Sequence, residues 1–123
     1  TLYNVNTPVL HRVITWVVAN PTSGTTILGP KINLYGYLNY QPINVYAYVK
    51  LATNCVINIY CGAVGSTNTL LTSGLTVTTS ESSTTNFEYG IHPDDWLALR
   101  IISVSGSPQQ LTVSLSIYPG YNT

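Results

Sequence analysis

Charge is what this sequence lacks most. Four Lys and Arg and four Asp and Glu make up 7% of 123 residues, and the net charge is zero; about 25% charged residues is ordinary. Without a basic field there is nothing to hold a phosphate backbone, so no nucleic-acid partner is expected. No basic amphipathic stretch of the membrane-surface kind is present. Nor does any apolar run reach the roughly 18 residues of a membrane span. Methionine is absent altogether and the chain starts at Thr1, as expected if a secretory signal has been removed or an initiator methionine trimmed. A neutral chain lacks the net charge that keeps monomers apart in solution.

Catalytic signatures are missing too. There is no Gly-x-Ser-x-Gly elbow, no phosphate-binding glycine loop and no spacing that suggests a Ser-His-Asp set. Asn20-Pro21-Thr22 fails as a glycosylation acceptor because proline fills its middle position. The only cluster of titratable groups is His92-Pro93-Asp94-Asp95. Two carboxylates beside an imidazole have the chemistry to bind a cation or move a proton. The simpler reading is a turn in which an Asp side chain accepts a local backbone N–H and Trp96 starts a strand. His11-Arg12 could pair with one of those aspartates, a surface contact worth little. No enzyme, metal or cofactor is expected.

What the chain does have is apolar alternation. Hydrophobic residues make up 45%, and their period is two almost throughout, with no convincing helix. In Leu111–Tyr118, Leu111, Val113, Leu115 and Ile117 face one way and Thr112, Ser114 and Ser116 the other. Cys55, Ile57, Ile59 and Cys61 share one face of another strand. Six extended residues hold those cysteines about 20 Å apart, well beyond the ~7 Å reach of a disulfide, so both are expected as free, buried thiols. Along RVITWVVA both faces are apolar, which reads as a strand covered on both sides. Asn20–Gly24 is a turn, and residues 78–86, TTSESSTTN, read as an exposed loop. Trp96–Val104 and Leu111–Tyr118 read as a hairpin joined through Ser105-Gly106-Ser107-Pro108. The expected core includes Val13, Val17, Leu34, Val45, Val49, Ile57, Ile59, Leu97, Leu99, Val113 and Leu115.

Many short strands without helices imply an all-β fold, an antiparallel β-sandwich. About eight strands fit the length, which favours a single jelly roll over the immunoglobulin type. Residues 1–123 read as one domain, with 1–10 an extended N-terminal arm that can reach a neighbour.

The stretch YGIHPDDWLALRI, followed by a turn and LTVSLSI, resembles the late hairpin of single jelly-roll proteins. Such proteins include viral capsid and decoration proteins, tumour-necrosis-factor-like trimers and carbohydrate-binding modules. The composition, rich in Tyr, Asn, Thr and Ile, also resembles that of virion surface proteins and extracellular filaments of hot-spring archaea. The resemblance implies a structural protein on a virion surface or outside the cell.

The surface residue that stands out is tyrosine, ten in all. In LYGYLNYQPINVYAYVKL a hairpin with its corner at Tyr40-Gln41-Pro42 sets Tyr37 opposite Tyr46 and Tyr35 opposite Tyr48 on the outer face. Tyrosine offers large apolar area, little entropy loss and a hydroxyl that tolerates water, as interfaces require. The four rings are therefore the expected contact with copies of the same chain or other coat or filament subunits. Glycans stacked on the same rings, as in a carbohydrate-binding module, are the alternative.

Overall fold

A computed structural model of the chain describes residues 12–31, 39–51, 54–88, 90–92 and 94–120. Their order is β1 (Arg12–Ala19), β2 (Thr25–Lys31), β3 (Asn39–Lys50), β4 (Asn54–Gly62), β5 (Asn68–Thr69), β6 (Leu75–Val77), β7 (Ser82–Thr84), β8 (Trp96–Ser105) and β9 (Gln110–Gly120). No helix is present among them, and so none long and apolar enough to cross a membrane. The strands form two antiparallel sheets. One runs β1-β9-β3-β7; the other runs β2-β8-β4-β5, with β6 also on β4. The chain changes sheet at nearly every connection and stays on one only from β4 through β6.

The two sheets close over one core because their strands alternate. The inner face of β9 is Leu111, Val113, Leu115 and Ile117, and that of β4 is Cys55, Ile57, Ile59 and Cys61; all eight are buried. Val45, Ala47 and Val49 of β3 and Leu97, Leu99 and Ile101 of β8 complete the layer. Eight of the expected core residues lie in it; Leu34 falls outside the described residues.

Val13 and Val17 do not. They are 56% and 63% exposed, while Trp16 is buried and Ile14 and Val18 pack against the core. β1 pairs only with β9 among the described residues and is covered on one face. With apolar residues on both sides, the bulkier set took the interior, where it removes more surface from water. Trp16 lies so close over Gly29 that a Cβ there would sit 2.7 Å from the indole Cζ2. Only a residue without a side chain fits at that crossing.

Three further expectations are corrected. β8 and β9 have the expected spans but are not a hairpin: β8 pairs with β2 and β4 in one sheet, β9 with β1 and β3 in the other. Gln41-Pro42 is not a corner, because β3 runs straight through it with a shift in register between Pro42 and Asn44. A bulge on a strand whose β7 side is occupied only at residues 45–47 tolerates the missing proline N–H. Within residues 78–86, Ser82–Thr84 form β7 against β3, since a polar run still offers backbone to a sheet edge. The turn at Asn20–Gly24 stands as read, with Asn20 and Gly24 at φ 47° and 82°.

Candidate interaction surface

The outer face of the β1-β9-β3-β7 sheet follows from the register. β9 lies between β1 and β3, so Thr112 is flanked by Val17 and Tyr48, Ser114 by Thr15 and Tyr46, and Ser116 by Val13 and Asn44. Tyr46 then meets Ser83 of β7. Two valines therefore stand on one side of a short-chain hydroxyl strip and two tyrosines on the other, all pointing away from the core. Tyr46 and Tyr48 are 42% and 46% exposed. The strip is tied together by a Thr15 Oγ1–Ser114 Oγ hydrogen bond of 3.1 Å, and Asn44 Nδ2 donates to the Tyr46 hydroxyl at 3.4 Å.

This face is nearly free of charge. Among the described outward positions of β1, β9 and β3, only Lys50, at the end of β3, carries a charge at neutral pH. The other sheet differs. There Arg100 Nη1 donates to the Gly24 carbonyl at 2.7 Å and to Thr26 Oγ1 at 3.2 Å, and Lys31 lies 3.8 Å from Asp94. A surface with large apolar side chains, small hydroxyls and no charge can be dehydrated at little electrostatic penalty.

The tyrosine geometry differs from the expected hairpin. The partners of Tyr46 are Ser114 of β9 and Ser83 of β7, one on each side of β3. Tyr35 and Tyr37 are outside the described residues. Val13 and Val17 belong to the face and were missed as surface residues; the signal was Trp16, whose size marks the even-numbered side of β1 as the inner one.

The His92–Asp95 segment is a turn. Asp95 N–H donates to the His92 carbonyl at 3.1 Å, and His92 N–H to Asp95 Oδ2 at 2.8 Å, before Trp96 opens β8. The two aspartates diverge: Asp94 faces Lys31, and Asp95 lies 3.8 Å from His92 Nδ1. Cys61, His92 and Asp95 border a cavity of about 180 Å³, but among the described residues no three His, Cys, Asp or Glu are placed to hold a metal ion. Burial, and then the Asp95 carboxylate, push the Cys61 thiol up to about 11, and burial also raises Cys55. Both thiols are free and protonated at neutral pH, the opposite of an activated nucleophile.

That shift sets a pH dependence. A thiol whose folded pKa exceeds its unfolded value of about 9 stabilises the fold fully below that value and loses the contribution as pH rises toward about 11. Unfolding free energy should therefore decline over this range, and Cys61→Ala should remove part of the decline; identical slopes would contradict the assignment. At neutral pH, alkylation without reductant should label two thiols only after unfolding.

No protein-family model matches the sequence, and no curated protein matches it. Among solved structures, the chain is similar to one described as "Cyanophage Pam1 capsid asymmetric unit", at 12% identity and a TM-score of 0.51 over 98% of this chain and 92% of that one. It is also similar to one described as "Bacillus endospore appendages form a novel family of disulfide-linked pili", at 13% identity and a TM-score of 0.43 over 98% of each chain. The first is a likeness of fold, and to a capsid, one of the kinds of protein the late-strand pattern resembles; the second is looser still.

Proposed function

We propose that this chain is a non-enzymatic structural protein, one sandwich domain over residues 1–123 that assembles with copies of itself or docks on a larger assembly. A virion capsid or decoration protein is the leading form, on the virion surface; a subunit of an extracellular filament is the other. The observation that carries this reading is the nearly uncharged outer face of the β1-β9-β3-β7 sheet, with Val13, Val17, Tyr46 and Tyr48 exposed around a Ser/Thr strip. Tyr35 and Tyr37 are included in the proposed interface. The strand order supports a single jelly roll: the first and last described strands are neighbours, and successive strands alternate between sheets except from β4 through β6. The capsid likeness in fold agrees with this use.

The test is a double variant, Tyr46→Ser with Tyr48→Ser. Both side chains lie outside the core, so the thermal midpoint should move little. Removing two aromatic anchors from a buried contact should weaken assembly by about 1–2 kcal/mol apiece. With so few charges present, assembly should depend only weakly on salt. An assembled fraction equal to the parent's, measured by light scattering at matched concentration, would overturn the tyrosine interface. If glycan binding were lost at the same time, the carbohydrate-binding reading would take its place.

A further inference from the structure

Among the described residues the two sheets have four edges, and three of them are protected. β7 has three residues, and the edge beside β4 is split into β5 and β6, of two and three residues. β2 carries Pro30 and Lys31 and a shift in register between Leu28 and Lys31. Short strands, proline, lysine and bulges are the devices that stop an edge from recruiting another strand. β1 has none of them. It pairs with β9 in unbroken register from Arg12↔Ile117 to Ala19↔Gln110, holds neither proline nor lysine, and has no strand on its other side among the described residues.

The direction of its backbone groups can be read from one bond. Asn20 N–H donates to the Gln109 carbonyl at 2.9 Å, which continues the β1–β9 register by one residue. In an antiparallel ladder such bonded pairs alternate, so Val18, Trp16, Ile14 and Arg12 bond toward β9. Val13, Thr15, Val17 and Ala19 therefore turn their N–H and C=O groups to the open edge. These are also the residues whose side chains lie on the outer face.

We propose that β1 pairs antiparallel with β1 of a second copy, about a two-fold axis through Thr15, and joins two four-stranded sheets into one of eight. This rests on the assembly reading above and names its partner and mode. A two-fold axis perpendicular to the sheet keeps both outer faces on one side, and it sets odd-numbered residues opposite odd-numbered ones. Those are the residues with unpaired backbone groups, so each copy offers the ladder that the other needs. Centred on Thr15, the register sets Val13 of one protomer opposite Val17 of its partner, twice, and Thr15 opposite Thr15. β-branched residues then face each other across the junction, a favourable cross-strand pairing. No charged side chain lies between Val13 and Ala19, so two copies meet without repulsion. The joined sheet also makes the uncharged faces of the two copies continuous. One strand pair is smaller than a standard interface of ~1,600 Å², so the dimer should dissociate on dilution.

Sedimentation across a concentration series tests this with three variants. Val17→Pro removes an N–H that points away from β9, a position where an edge strand accepts proline. Val17→Lys keeps the backbone and brings a charge to the junction. Each should weaken dimerisation at least tenfold while circular dichroism stays that of the parent; if Val17→Pro fails to fold, Val17→Lys decides. Thr15→Cys should give a disulfide-linked dimer on mild oxidation, since opposed residues of a bonded antiparallel pair lie ~5.5 Å apart at Cα, within disulfide reach. Dimerisation unchanged in both Val17 variants would overturn the proposal. Loss in those variants without a disulfide from Thr15→Cys would also overturn it, because another strand would then occupy the edge. If Tyr46→Ser with Tyr48→Ser lowers assembly while the Val17 variants do not, the assembly reading stands and the edge pairing falls. A parent monomeric at every concentration overturns the edge pairing and self-assembly together, and leaves docking on another coat as the form the assembly reading takes.

Discussion

Leu115→Ala is expected to lower the free energy of unfolding by about 2–5 kcal/mol. Leu115 is fully buried in β9, the central strand flanked by β1 and β3, with Ile14 opposite on one side and Val45 on the other. Two packed sheets are held ~10 Å apart by the side chains between them, and a strand bonded on both edges cannot shift inward to fill a void. The lost methyls therefore leave a cavity as well as a transfer term. The contrasting control is Val13→Ala: Val13 alternates with apolar neighbours just as Leu115 alternates with polar ones, yet it faces solvent, and its change should stay within about 0.5 kcal/mol. Chemical denaturation of both variants, at unchanged slope, is the measurement. A loss at Leu115 no larger than that at Val13 would mean that β9 does not face the core as described.

Asn58→Leu is expected to be comparably damaging although it adds apolar volume. Asn58 is the one polar or charged residue buried in the described structure. Its Oδ1 accepts from the Leu71 N–H at 3.0 Å and from the Ile59 N–H at 2.7 Å, and its Nδ2 donates to the Leu71 carbonyl at 3.2 Å. Leu71 lies in the gap where β5 has ended at Thr69 and β6 has not begun before Leu75. Its side chain, like that of Leu70, is fully buried. The amide of Asn58 thus stands in for the missing stretch of ladder. Leucine would leave the Leu71 N–H and C=O without these bonds, at about 1–3 kcal/mol for each group, or about 2–6 kcal/mol together. Denaturation should show the loss, and amide hydrogen exchange should show Leu71 opening faster than the flanking β4 residues. A change below about 0.5 kcal/mol with Leu71 still protected would contradict this role.

Alternation was a sound guide wherever one set of side chains was polar. In β9, Thr112, Ser114 and Ser116 sit opposite an aliphatic set, and the inner face was never ambiguous. In β4 the Cys55–Cys61 face was equally plain. The Asn20–Gly24 turn and the His92–Asp95 turn were written in local chemistry: residues that accept positive φ, and a carboxylate three positions from the N–H it captures. Asn58 gave no such sign. An asparagine among Val56, Ile57 and Ile59 looks like any outward polar residue, and only the approach of Leu71, thirteen positions along the chain, gives it partners. Of the interaction surface, Tyr46 and Tyr48 were legible because they alternate with Val45, Ala47 and Val49. Val13 and Val17 were not, because their neighbours on both sides are apolar.

By itself, then, the sequence determined that this is a charge-poor all-β chain, which residues share a strand face where one set is polar, and where the Asn20–Gly24 and His92–Asp95 turns fall. Those properties depend on side-chain period and on contacts within a few residues. Only the tertiary structure decided which strands are neighbours: that β8 and β9 part into different sheets, that β3 passes straight through Pro42, and that 82–84 joins an edge. Every residue but proline offers the same N–H and C=O to a ladder, so pairing carries almost no local signature. The inward side of β1 and its open edge were settled the same way, by the room that Gly29 leaves for Trp16 and by the absence of a tenth strand among the described residues beyond Val13, Thr15 and Val17.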